Sequence, residues 1–313
     1  MNSIKDVLHV GAIGLVMGAA EVVPGVSGGT IAFISGIYER LVNSISQFTP
    51  LLFKELKNNG LMAVWRQVNA NFLLVLFAGM GISILSFASG VSYLLHNEPI
   101  IIWSFFFGLV IASSIIMFKE ITSKGVDVGL AIGVGIGIGI VITQLVPIEL
   151  EPTPLSLFVG GTVAICAWIL PGLSGSFILL ILGLYAYVIG AIKSFDIGGL
   201  AFFAAGAAIG LVCFSQVLSR LFNHHKNVTL AALTGFMLGS VAKLWPWKNT
   251  TSYQIKSDGS QVPLVQEPVM PEAYTQLTGQ EADIALAVIS ALVGGVLVLG
   301  LNWFAVKNAS AEG

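Results

Sequence analysis

The sequence predicts an all-α integral membrane protein built as an inverted repeat, each half a re-entrant helical hairpin followed by three transmembrane helices. Three observations predict it. The 313 residues are 56% hydrophobic and only 10% charged, with a mean hydropathy of +0.91, whereas a soluble domain carries about 25% charged residues. Several apolar runs reach the ~18 residues needed to cross a hydrocarbon core. A helix-breaking signature, Pro-Gly-aliphatic-Ser-Gly, occurs twice in apolar surroundings, at Pro24–Gly28 and Pro171–Gly175.

The elements follow in order. The first segment, 7–45, is split by the polar stretch "EVVPGVSGGT", Glu21–Thr30. Its two arms of about 15 residues are short for full spans and suit a re-entrant hairpin with its tip at membrane depth. Two short tilted spans joined by the same break are the alternative. A polar stretch around Lys54–Gln67 precedes full spans at about 72–95, 99–118 and 127–147. The second half repeats this order: a hairpin at 156–192, split by Pro171–Ser176, then spans at about 198–221, 228–247 and 283–305. Lys248–Glu281, rich in Gln, Ser, Thr and Pro, reads as an external loop. Residues 1–147 and 148–313 are thus the two repeats of a single membrane domain. The first apolar run lacks the cleavage site of a signal peptide. Cys166 and Cys213 lie in separate apolar runs and read as small buried hydrophobes, not a disulfide.

Register supports the duplication. An offset of 147 carries Pro24-Gly25-Val26-Ser27-Gly28 onto Pro171-Gly172-Leu173-Ser174-Gly175, and Gly36-Ile37-Tyr38 onto Gly183-Leu184-Tyr185. Beyond the polar insertion the offset becomes 127, from Ala78-Gly79/Ala205-Gly206 through Phe87/Phe214 and Ser92/Ser219 to Gly108/Gly235 and Ser113/Ser240. Three spans, an odd number, separate the hairpins, so the second enters from the opposite face, an arrangement common in secondary transporters. Lys5, Arg40, Lys54, Lys57, Arg66, Lys119, Lys124, Arg220, Lys226 and Lys307 fall on the side of the termini, against Lys193, Lys243, Lys248 and Lys256 on the other. That bias places both termini in the cytoplasm, with Trp245 and Trp247 in an outer aromatic belt.

A break at membrane depth exposes backbone polar groups, tolerated only where protein buries them or a watery cavity solvates them. Proline stops the incoming helix, glycine permits the turn, and Ser27 or Ser174 can cap the outgoing helix. Two tips meeting near the midplane would offer backbone N–H groups to an anion without any Lys or Arg. The candidate substrate-binding residues are Gly25, Ser27, Gly28, Gly29, Thr30, Gly172, Ser174, Gly175 and Ser176. The bland alternative is a pair of structural kinks. The halves differ: Glu21 has Trp168 as its counterpart, and Thr30 has Phe177. A carboxylate inside an apolar segment is costly and usually functional, so Glu21 is the proton-coupling candidate; its alternative is a neutral acid bonded to hairpin backbone. Arg40 could reach a phosphate or snorkel as an interfacial anchor. His224-His225 read as a solvated turn. Gly129, Gly133 and Gly137 recur at four-residue spacing, a helix-packing signal. No catalytic residue, cofactor or metal site is expected, and no nucleic-acid partner; the oligomeric state is open, a homo-oligomer included.

The stretches "EVVPGVSGGTIAFISGIYERLV" and "PGLSGSFILLILGLYAYV" resemble a bacterial membrane family once catalogued only as a domain of unknown function and now regarded as polyprenyl-phosphate transporters of the PopT type. The resemblance covers essentially the whole chain. Glu21, Ser27, Gly28, Gly29, Thr30, Ser174, Gly175 and Ser176 match its signature positions. It implies undecaprenyl phosphate as substrate, flipped from the outer to the inner leaflet of the cytoplasmic membrane to recycle the carrier of cell-wall precursors. Membrane lipids are then the other partners. Two rivals remain at this level: an undecaprenyl pyrophosphate phosphatase-like enzyme, which would want several carboxylates or a His/Arg set, and a small-anion channel or transporter using the same breaks.

Overall fold

A computed structural model describes residues 4–21, 27–145, 147–255 and 261–311. Pro24 and Gly25 therefore lie outside the described residues. The first segment is α1 (Ile4–Glu21), then α2 (Gly28–Ile34) and α3 (Tyr38–Ser46). The polar insertion forms α4 (Leu51–Asn59) and α5 (Leu61–Gln67), neither with a buried residue. Next come α6 (Ala70–Asn97), α7 (Pro99–Glu120) and α8 (Val126–Gln144). The second segment is α9 (Pro154–Ile169), α10 (Gly175–Ile181) and α11 (Tyr185–Ser194), followed by α12 (Ile197–Ser240) and a single 3₁₀ turn, Val241–Leu244. An antiparallel hairpin, β1 (Lys248–Ile255) and β2 (Gln261–Pro268), leads through α13 (Pro271–Thr278) to α14 (Ile284–Ala311).

Among the described residues five helices are long and apolar enough to cross a membrane: α6, α7, α8, α12 and α14. The protein is an all-α, multi-pass membrane protein. At 1.5 Å per residue the 44 residues of α12 would run about 66 Å, twice a hydrocarbon core. The helix is bent at His225 (φ −138°, ψ 48°), where the sequence predicts the turn between spans 198–221 and 228–247. Those two spans are therefore the two limbs of one kinked helix.

Four expectations need correction. Each hairpin arm was expected to be one helix, yet both segments break a second time, at Ser35–Ile37 and Leu182–Leu184. α10 and α11 are bent by 115° there. The cause is a left-handed glycine in each, Gly36 (φ +71°) and Gly183 (φ +70°), a conformation that ends a helix. Second, Lys248–Glu281 is not simply a loop but holds the hairpin and α13. Trp247 is buried with Ile100, Tyr274 and Ala287, and its indole N–H donates to the Ala282 carbonyl (2.7 Å), so it pins this cap instead of facing lipid. Third, Gly129, Gly133 and Gly137 face open space; the packing glycines of α8 are Gly135 and Gly139, against Ala232–Gly239 of α12. Fourth, Cys213 is exposed, though both cysteines are free.

Close packing is made by glycines, and each contact occurs twice. α1 lies on α6 where Gly14 backs onto the Leu76 carbonyl and Gly79 onto the Gly11 carbonyl. α9 lies on α12 where Gly161 backs onto the Phe203 carbonyl and Gly206 onto the Phe158 carbonyl. The positions correspond at the offsets read from the sequence. Further on, Gly108 of α7 backs onto Ala291 of α14, while its counterpart Gly235 in α12 backs onto Ile132 of α8. The last helix of each half thus packs on the other half. With a Cβ at any of these positions the backbones would have to separate, which is why small residues recur at membrane helix contacts.

Candidate functional site

The two primary breaks have the same backbone. Ser27 (φ −113°, ψ 133°) and Ser174 (φ −108°, ψ 134°) are both extended N-cap residues. The N–H of Thr30 bonds the Ser27 carbonyl, and that of Phe177 the Ser174 carbonyl (3.0 and 3.1 Å). Past the second breaks, Ile37 N–H bonds Ala32 O and Leu184 N–H bonds Leu179 O, both at 3.0 Å.

The breaks meet. Ser27 Oγ donates to the Trp168 carbonyl (2.9 Å), the Gly172 N–H donates to Thr30 Oγ1 (3.0 Å), and Tyr38 Oη donates to the Ile169 carbonyl (3.0 Å). Three residues of the first segment thus satisfy the frayed C-terminus of α9 and the turn after it. Gly29 sits so close to Ile169 that a Cβ would lie 2.7 Å from its carbonyl oxygen. Ser27, Thr30 and Ser174 are at most 1% exposed. Such burial of hydroxyls is stable only because each has a partner.

The side chains differ between the breaks. In the first, Glu21 Oε1 accepts the Gly28 N–H and Ser27 Oγ accepts the Gly29 N–H, so the leading amides of α2 are held by the protein's own oxygens. The Trp168 ring stacks on Phe77. In the second, Trp168 occupies the position equivalent to Glu21, Ser174 Oγ turns to Ser176 Oγ (2.7 Å), and among the described residues no side chain caps α10.

The structure therefore brings Glu21, Ser27, Gly28, Gly29 and Thr30 together and sets them against Trp168, Ile169 and Gly172 of the second segment, with Ser174, Gly175 and Ser176 following at the start of α10. Gly25 lies outside the described residues. Arg40 is elsewhere: its guanidinium sits 4.2 Å above the Phe72 ring of α6. His224 and His225 are exposed at the kink, as a solvated turn should be. Sequence reasoning missed Tyr38. Its signal was present, since Tyr38 and Tyr185 are repeat equivalents two residues after the left-handed glycines. It also gave Trp168 no role beyond standing in for Glu21.

Residues 17–262 match the family model described as undecaprenyl phosphate translocase-like. The chain belongs to that family. Within this translocase-like family it is 48% identical over 294 residues to a Vibrio cholerae protein named polyprenyl-phosphate transporter, covering 94% of this chain and 96% of that one. It is 32% identical over 251 residues to a Staphylococcus aureus protein of the same name, covering 74% and 84% of the two chains. No solved structure matches it. The family match spans both breaks.

Proposed function

We propose that this protein translocates a polyprenyl phosphate across the membrane, a transport rather than a catalytic role. The observation that carries this is the identity, at 48% and over nearly both full lengths, to a named polyprenyl-phosphate transporter. The paired breaks suit the chemistry. A lipid phosphate has a small anionic head that must cross and a long tail that can remain in lipid. Hydroxyls and amides of Ser27, Gly28, Gly29, Thr30, Gly172, Ser174, Gly175 and Ser176, with Gly25, make the head site. Arg40, on its ring near one end of the path, serves as an outlying anchor for the anion.

The finer reading is as follows. The substrate is undecaprenyl phosphate, moved from the outer to the inner leaflet of the bacterial cytoplasmic membrane for reuse as the carrier of peptidoglycan precursors. Both termini are cytoplasmic, and the two halves are inverted copies that rock against one another around the site. The equivalent glycine contacts and break geometries support the duplication. Glu21 couples the cycle to protons. As a carboxylate it occupies the Gly28 N–H that a phosphate oxygen would need; protonated, it loses charge and competes less well for that donor.

Proteoliposomes containing undecaprenyl phosphate test this directly. Wild-type protein should move the lipid between leaflets, at a rate that changes with pH. Glu21→Gln keeps an acceptor oxygen for Gly28 N–H but cannot titrate, so its rate should be flat with pH. A variant with the wild-type pH profile would remove Glu21 from the coupling.

A further inference from the structure

A second cationic feature lies outside the breaks. Lys248 is 8% exposed, and its Nζ is buried with no hydrogen-bond partner. It lies 3.2 Å from the centroid of the Trp103 ring of α7. An ammonium has three donors and no acceptor, and a π face can engage only one of them. Lys243, five residues earlier in the 3₁₀ turn, is half-buried with its Nζ 4.5 Å from the centroid of Phe177. Among the described residues neither makes an ion pair with a carboxylate.

Burial, reinforced by the charge of Lys243, holds the Lys248 amine well below the usual lysine range. Keeping Lys248 protonated is therefore unfavourable in the empty protein. A bound dianion would favour its protonated form. The position fits: Phe177 is in the first turn of α10, and Ser240, just before Lys243, lies against Gly172 of the second break.

We propose that Lys243 and Lys248 form a phosphate-monoester site at the face remote from the termini, which receives the anionic head before it reaches the second break. The proposal deepens the transport reading and rests on it for the lipid, though not for the phosphate. A monoester carries close to two charges and three acceptor oxygens, which two ammoniums match.

The test uses full-length protein in nanodiscs, titrated separately with a short-chain polyprenyl phosphate and with inorganic phosphate. Lys248→Met and Lys243→Met should each weaken the lipid phosphate by about tenfold or more, the loss expected for one charge-assisted hydrogen bond. Lys248→Met should unfold at the wild-type temperature or above it, because it removes a buried amine that has no hydrogen-bond partner; Lys248→Gln, tested beside it, guards against a packing artefact. Loss of lipid affinity alone identifies a lipid head as occupant, and parallel loss of inorganic phosphate identifies a general phosphate site. If both Met variants bind both probes as tightly as wild type, the proposal is wrong. A double variant that still transports at the wild-type rate sinks this site and leaves the transport reading intact. Wild-type protein that binds inorganic phosphate through the lysines yet moves no polyprenyl phosphate does the reverse.

Discussion

Ser27 and Ser174 occupy the same motif position with the same backbone, yet removing their hydroxyls should have unequal effects. Ser27 Oγ makes two buried bonds, accepting from Gly29 N–H (3.0 Å) and donating to Trp168 O (2.9 Å). Loss of an N-cap costs about 1 kcal/mol, and a buried carbonyl left without its donor about 1–3 kcal/mol. Ser27→Ala should therefore lose about 2–4 kcal/mol. Ser174 Oγ makes one bond, to the half-buried Ser176 hydroxyl, and caps nothing. A single neutral bond contributes about 0.5–1.5 kcal/mol, so Ser174→Ala should lose about 1. The assay is SDS-titrated unfolding of both purified variants in detergent micelles, followed by tryptophan fluorescence. Equal losses, or a larger one for Ser174→Ala, would refute the reasoning that the first break braces the second.

Other outcomes follow from the same contacts. Gly206→Val and Gly79→Val should each reduce folded yield in the membrane severely, since the new side chain meets the backbone of the facing helix; size-exclusion chromatography after detergent extraction reads this. Gly36→Ala meets nothing within 4 Å and bears only the left-handed strain of about 1–2 kcal/mol. Gly183→Ala should lose more, because its Cβ would sit 2.6 Å from the Ile148 carbonyl; the two midpoints in the same unfolding assay compare them. Asp196 caps α12, and hydrogen bonds from Tyr187 Oη and then Gly199 N–H hold its carboxyl below the usual aspartate range. Its stabilising effect is present above the ordinary aspartate pKa and is lost as pH falls through the lowered folded value. Thermal stability should thus drop on the acid side in wild type, and Asp196→Asn should show less of that drop.

The span positions were legible because hydropathy and length decide them: 99–118 became Pro99–Glu120, and 127–147 became Val126–Gln144. The primary breaks were legible because proline and serine stand out in apolar sequence. The secondary breaks were not, since "ISGIY" and "ILGLY" are as apolar as the helices they interrupt; only the positive φ of Gly36 and Gly183 separates them, and composition does not encode φ. Arg40 was legible as a charge near the first break but not as a partner for Phe72, a contact made across helices. Lys243 and Lys248 were counted as boundary charges, because burial by a hairpin and by Trp103 is a tertiary fact.

The asymmetry between the breaks gives the proposed cycle a direction. The first break is closed by its own oxygens: Glu21 holds Gly28 N–H and Ser27 holds Gly29 N–H. The second lacks a side-chain cap, and the first N–H groups of any helix have no intrahelical acceptor. In the proposed cycle an incoming phosphate therefore meets Gly175 and Ser176, which Ser174 does not cap, before it must compete for occupied donors at Gly28 and Gly29. Lys243 lies beside the second break, over Phe177. In the proposed cycle, transfer to the first break requires Glu21 to release Gly28 N–H, which places a proton at the step that commits the head to crossing. A symmetric pair of breaks would bind the head equally from either side and could not place protonation at one step. On this argument Glu21 and Trp168, at equivalent positions of the two repeats, are the pair whose exchange should most alter directionality. Swapping them, Glu21→Trp with Trp168→Glu, should move the pH dependence of transport to the opposite leaflet if the fold survives; an unchanged sidedness in proteoliposomes of defined orientation would count against the mechanism.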